Sequence, residues 1–224
     1  MIKSAIILAA GKGRRMLPLT KKIPKALIKI KNKTLIERKI IAIRKIEIDK
    51  IHVTVGHKSF LLSKYLYKKN IKSIINTEGK GNAWWIFNTL LSSINENVLL
   101  TTCDSIINLD KDFLNNELKK NSKYPCILLL VKPNNNFKGD YIILKNNKIK
   151  EVSRHKKSSF FASGIQIINP YKINKIAKNN NINNFNQLWK LLIKKNKIGC
   201  TKLFKKKWSS FDTVSQVKKY KKIK

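Results

Sequence analysis

A chain of 224 residues with 42% hydrophobic content has the size of one α/β domain with a sizeable core, and that content argues against disorder. Its formal net charge of +37 points to anionic partners: nucleic acid, an anionic membrane surface or acidic ligands. No apolar run approaches the length of a membrane span, and the first residues lack a signal-peptide pattern.

Taken in chain order, Ser4–Leu8 reads as a buried first strand running straight into a small-residue loop. Thr34-Leu35-Ile36-Glu37 has the form of a capping box, and the apolar spacing predicts a helix from about Leu35 to Ile46. Lys50–Gly56 reads as strand, Ser59 opens a helix towards Lys69, and Ile71–Ile75 is the next strand. Asn82 is expected to cap a helix over Ala83–Ile94, followed by a strand at Asn97–Thr102. Asp110 is expected to cap a helix over Lys111–Lys120, and Cys126–Val131 is a buried strand. Tyr141–Leu144 and Ile149–Val152 flank Asn146-Asn147, a hairpin turn signal. Phe160–Ile168 is a further strand, stopped by Pro170. Helices are expected near Tyr171–Lys178 and Asn186–Lys195, joined by the Asn-rich loop Asn179–Asn184. Short strands are expected at Lys202–Phe204 and Trp208–Phe211, and a last helix at Ser215–Lys222. Strands alternating with helices predict a mostly parallel sheet with helices on both faces. No repeat or long linker divides the chain, so a single domain over residues 1–224 is expected.

The chemistry concentrates at the start. After Leu8 come Ala9, Ala10, Gly11, Lys12 and Gly13, then Arg14 and Arg15, and ten residues after Arg15 stands Lys25 behind Pro24. Small residues let backbone N–H groups approach a phosphate, and two glycines allow backbone angles that other residues resist. Arginine and lysine supply fixed positive charge for a polyphosphate. The segment lacks the third glycine of a dinucleotide fingerprint and the Gly-Lys-Ser/Thr ending of a P-loop. A solvated basic loop is the competing reading. Asp104 lies just past the end of an apolar strand, the edge where ligands sit in open α/β sheets. A carboxylate there suits Mg²⁺, which keeps few protein ligands; a cap on the next turn is the alternative.

Leu8-Ala9-Ala10-Gly11-Lys12-Gly13-Arg14-Arg15-Met16-Leu17-Pro18-Leu19-Thr20, followed by Pro24-Lys25-Ala26-Leu27, resembles the signature of the sugar-1-phosphate nucleotidylyltransferases. That resemblance implies a three-layer, Rossmann-like (GT-A-like) mixed sheet, mostly parallel. It implies that Leu8, Ala9, Ala10, Gly11 and Gly13 cradle the nucleotide, that Arg15 binds the β/γ end of the triphosphate, and that Lys25 bridges the α-phosphate or the incoming phosphate. Asp104 takes the place of the family's metal-binding aspartate, here as Cys103-Asp104 where Gly-Asp is common. Phe211-Asp212-Thr213-Val214-Ser215 resembles the family's second Mg²⁺ motif without its Gly and Pro. Capping of the last helix by Asp212 or Thr213 is the competing role. Asn76, Glu78 and Gly81 fall where the family reads the base. An amide at Asn76 suits a pyrimidine edge, although Gly81-Asn82-Ala83-Trp84-Trp85 departs from the family's L-G-T-A-G-A. On the acceptor side, Lys138-Gly139-Asp140-Tyr141 and Phe161-Ala162-Ser163-Gly164-Ile165 resemble two family turns. That makes Gly139 and Gly164 acceptor candidates, with Lys156 for the acceptor phosphate; a solvated charge run is the competing reading of Lys156. The compact length resembles the muramate- or hexose-1-phosphate uridylyltransferase type.

The expected activity is transfer of NMP from an NTP to a sugar 1-phosphate with Mg²⁺, in the cytoplasm, supplying NDP-sugars for the cell envelope. The expected partners are an NTP, a pyrimidine favoured, and a phosphorylated small molecule. A cytidylyltransferase for choline phosphate or a similar phosphate is the first alternative. A basic nucleic-acid-binding protein with a degenerate active site is the alternative of another class. Against the latter, the lysines are spread almost evenly among Asn and Ile, a pattern that A/T-rich codons also produce, and no aromatic cluster of the RNA-binding kind is visible. Cys103, Cys126 and Cys200 are odd in number and scattered, which fits neither a disulfide framework nor a CxxC metal pair. His52, His57 and His155 show no ligand spacing. Trp84 and Trp85 read as core residues.

Overall fold

The computed structural model describes residues 1–134, 139–178 and 180–222. Up to β6 the elements are β1 (Ser4–Leu8), β2 (Lys29–Ile30), β3 (Lys33–Thr34), α1 (Leu35–Arg44), β4 (Lys50–Val55), α2 (Ser59–Tyr67), β5 (Ser73–Asn76), α3 (Trp85–Asn88) and β6 (Val98–Thr102). Then follow β7 (Ser105–Ile107), α4 (Lys111–Lys120), β8 (Cys126–Val131), β9 (Tyr141–Lys145), β10 (Lys148–Ser153), β11 (Phe161–Ile168), α5 (Pro170–Ala177), α6 (Phe185–Lys194), β12 (Ile198–Cys200), β13 (Trp208–Ser210) and α7 (Val214–Lys222). The architecture is α/β, with a mixed, mostly parallel sheet and helices, as the alternating pattern predicts. No described helix is long and apolar enough to cross a membrane.

The chain forms two compact units. One comprises residues 3–79, 101–109 and 207–224. Its centre is β1, whose Ala5, Ile6 and Ile7 are wholly buried, as a parallel strand covered on both faces requires. β1 pairs in parallel with β4, and β4 with β5. The end of β6 follows β1 on the other side, where the Cys103 N–H donates to the Leu8 carbonyl at 3.1 Å. Thr34 caps α1 by accepting from the Glu37 N–H. The stripe that α1 buries is Leu35, Ile36, Lys39, Ile40 and Ile43, apolar except at Lys39. A smaller cluster of Met16, Ile28, Ile30, Leu35, Phe211 and Val217 packs the basic loop and the C-terminal segment together. β13 pairs antiparallel with β7, Ser210 opposite Ser105. The expectation at Trp208–Phe211 is met as far as Ser210, while β7 escaped the sequence reading.

The other unit comprises residues 1–2, 80–100 and 110–206. β8 is buried along its whole length, pairing antiparallel with β11 and parallel with β12. β9 and β10 form the expected hairpin, with Asn146 and Asn147 at φ of 50° and 58°, the left-handed pair a tight two-residue turn requires. Asp110 caps α4 through the Phe113 N–H at 2.9 Å, and Pro170 begins α5 where it was expected to end a strand and does both. Two expectations fail here. The helix over Ala83–Ile94 is two short pieces, α3 and a single tight turn at Leu90–Ser93, broken at Thr89. Asn82 does not cap it; its carboxamide oxygen accepts from the Phe185 N–H, the first of α6. The strand expected at Lys202–Phe204 lies earlier, at β12, with only a bridge from Phe204 to Val131. Within β12 a Cβ on Gly199 would fall 2.4 Å from the Tyr124 ring, so the close approach requires glycine there.

Candidate functional site

Three distant pieces of the first unit described meet at Lys25. Its Nζ donates to Asp104 Oδ2 at 2.5 Å and to Asp212 Oδ1 at 2.8 Å. Arg15 Nη2 reaches the same Asp212 oxygen at 3.1 Å. The Asp104 and Asp212 side chains are only 20% and 21% exposed, and Lys25 12%, so these pairs are screened far less than surface ion pairs.

Local structure explains the placement. Gly13 has φ of 61°, and a Cβ on it would lie 3.0 Å from Thr20 Cγ2 and 3.1 Å from Lys25 Cβ. The loop closes on the Lys25 stem because that position carries no side chain. Thr20 Oγ1 donates to the Gly13 carbonyl at 3.0 Å. Buried Met16, directly after Arg15, and buried Phe211, directly before Asp212, anchor both segments in the cluster already described. A Cβ on Gly11 would meet nothing within 4 Å, so the tip of the loop is open. Leu8, Ala9 and Ala10 lead into it, the Ala9 N–H held by the Thr54 carbonyl at 3.0 Å and the Ala10 carbonyl accepting from His57 at 3.1 Å.

The competing capping roles can be decided by geometry. Thr213 Oγ1 accepts from the Gln216 N–H, and Gln216 Oε1 accepts in return from the Thr213 N–H at 3.0 Å. Thr213-Val214-Ser215-Gln216 is thus a capping box, which leaves the Asp212 carboxylate to Lys25, Arg15 and Ser210 Oγ. Asp104 sits in the turn between β6 and β7; its carboxylate takes Lys25 and the Thr102 side chain, and its carbonyl takes the Phe211 N–H.

Burial pushes the Asp104 carboxyl up, but Lys25 outweighs it and holds the group below the ordinary carboxylate range. Burial likewise pulls the Lys25 ammonium down, and Asp104 and Asp212 outweigh it, so its pKa lies above the usual lysine value. Burial, aided by the Asp104 charge, pushes the Cys103 thiol up to about 12; it stays protonated and is no nucleophile. No cluster of three or more His, Cys, Asp or Glu groups exists among the described residues. Two carboxylates already sharing one cation are the smaller donor set that suits Mg²⁺, which takes its remaining ligands from phosphates and water.

The base-reading candidates have local work. Asn76 Oδ1 accepts from the Glu78 N–H at 2.9 Å, closing a turn after β5. Gly81 lies in the other unit, where its N–H donates to Asn183 Oδ1 and a Cβ would fall 2.1 Å from the Asn183 carbonyl oxygen. Close packing therefore already requires glycine there. Among the acceptor candidates, Lys156 Nζ pairs with Glu151 at 2.8 Å on the surface. Gly164 has φ of 77° in β11 and Gly139 packs beside the Phe161 ring. Lys138 lies outside the described residues. Trp85 is core, as expected, whereas Trp84 is only half-buried under Lys80, and His52 bonds Ser73.

Lys39 is what the sequence reading passed over. It is 3% exposed, and its Nζ donates to Ser105 Oγ at 3.0 Å, one residue from Asp104. A lysine on the buried stripe of α1 was the available signal. Burial lowers its pKa to about 8, against a partial rise from Asp104. A lysine that binds its proton less tightly when folded costs stability below that value, and the cost fades as pH rises from about 8 to 10.5. Lys39→Met should therefore stabilise the protein at neutral pH by on the order of 2 kcal/mol, net of the lost hydrogen bond. Urea unfolding of both proteins at neutral pH and near about pH 10 checks this: the gain should shrink at the higher pH, and an equal difference at both would remove the buried charge as its cause.

The nucleotidyl transferase family model matches residues 4–189. A CTP:phosphoglutamine cytidylyltransferase of Campylobacter jejuni is 44% identical over 69 residues, 31% of this chain and 27% of that protein. The bifunctional protein GlmU of Clostridium acetobutylicum is 38% identical over 85 residues, 37% of this chain and 18% of that protein. These matches thus span less than a third of either relative's own length. The inositol-1-phosphate CTP transferase structure from T. maritima superposes with a TM-score of 0.79 at 16% identity, covering 99% of this chain and 97% of that one, a likeness of fold. With the family model matched across most of its length, the chain belongs to the nucleotidyl transferase family.

Proposed function

We propose that the protein transfers NMP from an NTP to a phosphorylated small molecule, a sugar 1-phosphate in the first reading, and releases pyrophosphate. The observation that carries this is the meeting of Asp104 and Asp212, 108 positions apart in sequence order as numbered, on the Nζ of Lys25. The acceptor phosphate is already an anionic nucleophile at neutral pH. Its oxygen attacks the α-phosphorus in line, and the bond to the bridging oxygen of the leaving pyrophosphate breaks. No general base is needed; the barrier lies in bringing anions together and in the charge that builds on the leaving group. Lys25, released from the carboxylates, meets the α-phosphate, and Arg15 the departing end. Asp104 and Asp212 would hold a divalent ion such as Mg²⁺, which supplies charge neutralisation on the phosphate oxygens. Gly11 and Gly13 admit the triphosphate; Gly139, Lys156 and Gly164 are proposed for the acceptor. Asn76 is proposed to read a pyrimidine, after its turn with Glu78 opens. A cytoplasmic setting and a role in envelope precursors belong to the same proposal.

Cytidylyl transfer to a non-sugar phosphate is the second reading, favoured by the 44% identity to the phosphoglutamine cytidylyltransferase. Pyrophosphate release should be assayed with each of the four NTPs against hexose 1-phosphates and choline phosphate. Release that needs both an NTP and an acceptor is the expected result, and the productive pair decides between the two readings. Nucleotide-independent RNA binding with no turnover on any pair would replace both.

A further inference from the structure

We infer that Lys39 is a positioning residue that makes the Asp104–Asp212 cluster net positive, so that a divalent ion is accepted with a triphosphate and poorly without one. The inference rests on the proposed function and deepens it. Asp104 and Asp212 face Lys25 and Arg15 at hydrogen-bonding distance, which leaves those four groups neutral together. Lys39 adds one further positive charge from behind Asp104. It lies on the buried face of α1, holds Ser105 Oγ, and Ser105 in turn donates to the Thr102 carbonyl and shares a hydrogen bond with Thr101. Lys25 and Arg15 touch the carboxylates directly and can exchange carboxylate for phosphate. Lys39 is enclosed and cannot follow a ligand, so at neutral pH its charge stays where it is whatever binds. A bare dication meets a site of like sign, whereas a metal–triphosphate complex, itself an anion, meets one of opposite sign.

The hydrogen bond and the charge can be separated. Lys39→Gln keeps a donor for Ser105 and removes the charge; Lys39→Met removes both; Ser105→Ala removes the bond and keeps the charge. The probe is Mn²⁺ alone, titrated into the full chain without nucleotide and followed by calorimetry or by loss of the free-ion paramagnetic resonance signal. Both Lys39 variants should bind Mn²⁺ about tenfold more tightly than the unmodified protein, the effect of removing one buried like charge at a nearby site. Their KM for the NTP should rise several-fold with a smaller change in kcat, while Ser105→Ala leaves the Mn²⁺ affinity as it was. Circular dichroism confirms that each variant is folded. Mn²⁺ binding that is lost in Asp104→Asn yet indifferent to both Lys39 variants overturns this inference and leaves the site standing. A Ser105→Ala variant that reproduces the tighter binding would also overturn it, by assigning the effect to the turn. Binding that ignores Asp104 overturns the site itself.

Discussion

Lys25→Ala should lower kcat/KM by about a thousandfold, the loss expected when a fixed cation that answers transition-state charge is removed from a partly dehydrated site. Two effects add. The α-phosphate loses its proposed partner, and Asp104 and Asp212 lose the cation they share at 2.5 and 2.8 Å. Two carboxylates with little exposure then keep only Arg15 in direct contact and Lys39 beyond Ser105, so stability should also fall, by about 1–3 kcal/mol given their partial access to water. Lys25→Arg is the informative companion. It keeps the charge but needs more room, and the Lys25 stem lies so close to Gly13 that a Cβ there would fall 3.1 Å from Lys25 Cβ; its rate should fall between the two. Steady-state pyrophosphate release with urea unfolding measures both quantities. A Lys25→Ala enzyme working within a few-fold of the original rate would remove the ammonium from the chemistry, whatever happens to stability.

Much of the fold could be read because its signals are local. The strand at Ser4–Leu8, the caps at Thr34 and Asp110 and the turn at Asn146-Asn147 each depend on residues within a few positions of one another. The failures share a different cause. Asn82 was read as a cap for the helix that follows it, but a residue far along the chain, Phe185, claims its oxygen, and nothing near Asn82 announces that partner. β7 is three residues long and exists through its pairing with β13. At the site, Asp104 and Lys25 stood out by position, and Asp212 by resemblance to a motif. The residue that settles how Asp212 is used, Gln216, was in plain sight as Thr213-Val214-Ser215-Gln216, a capping-box pattern of the same kind as the one recognised at Thr34. Lys39 was masked by its surroundings: in a chain this rich in lysine a single one draws no notice, and only its register with Leu35, Ile36, Ile40 and Ile43 marks it as enclosed.

Asp104→Asn should reduce turnover by about a hundredfold to a thousandfold with the fold retained, since the amide preserves shape and can still accept from Lys25. Asp212→Asn should do the same. If both carboxylates hold one ion as proposed, their effects should not add: the double variant is expected to lie within about tenfold of the worse single variant. Multiplicative losses would mean that the two act independently, and the shared-ion reading would fail. The acid limb of stability gives a separate reading of Asp104. Its pKa is lowered from 3.8 in the folded protein, so its contribution is present above the unfolded value and is lost as pH falls through the folded one. Lys25 has the opposite sign: its pKa is raised from 10.5, so its contribution is complete below that value and disappears only as pH climbs through the higher folded one. Across the neutral range the pair is therefore constant. Urea unfolding at neutral pH and below about pH 4 should show the difference between Asp104→Asn and the original protein narrowing in acid. A difference that does not change with pH would mean that the carboxylate's charge contributes nothing to holding this end of the sheet, and that Lys25 is positioned by packing alone.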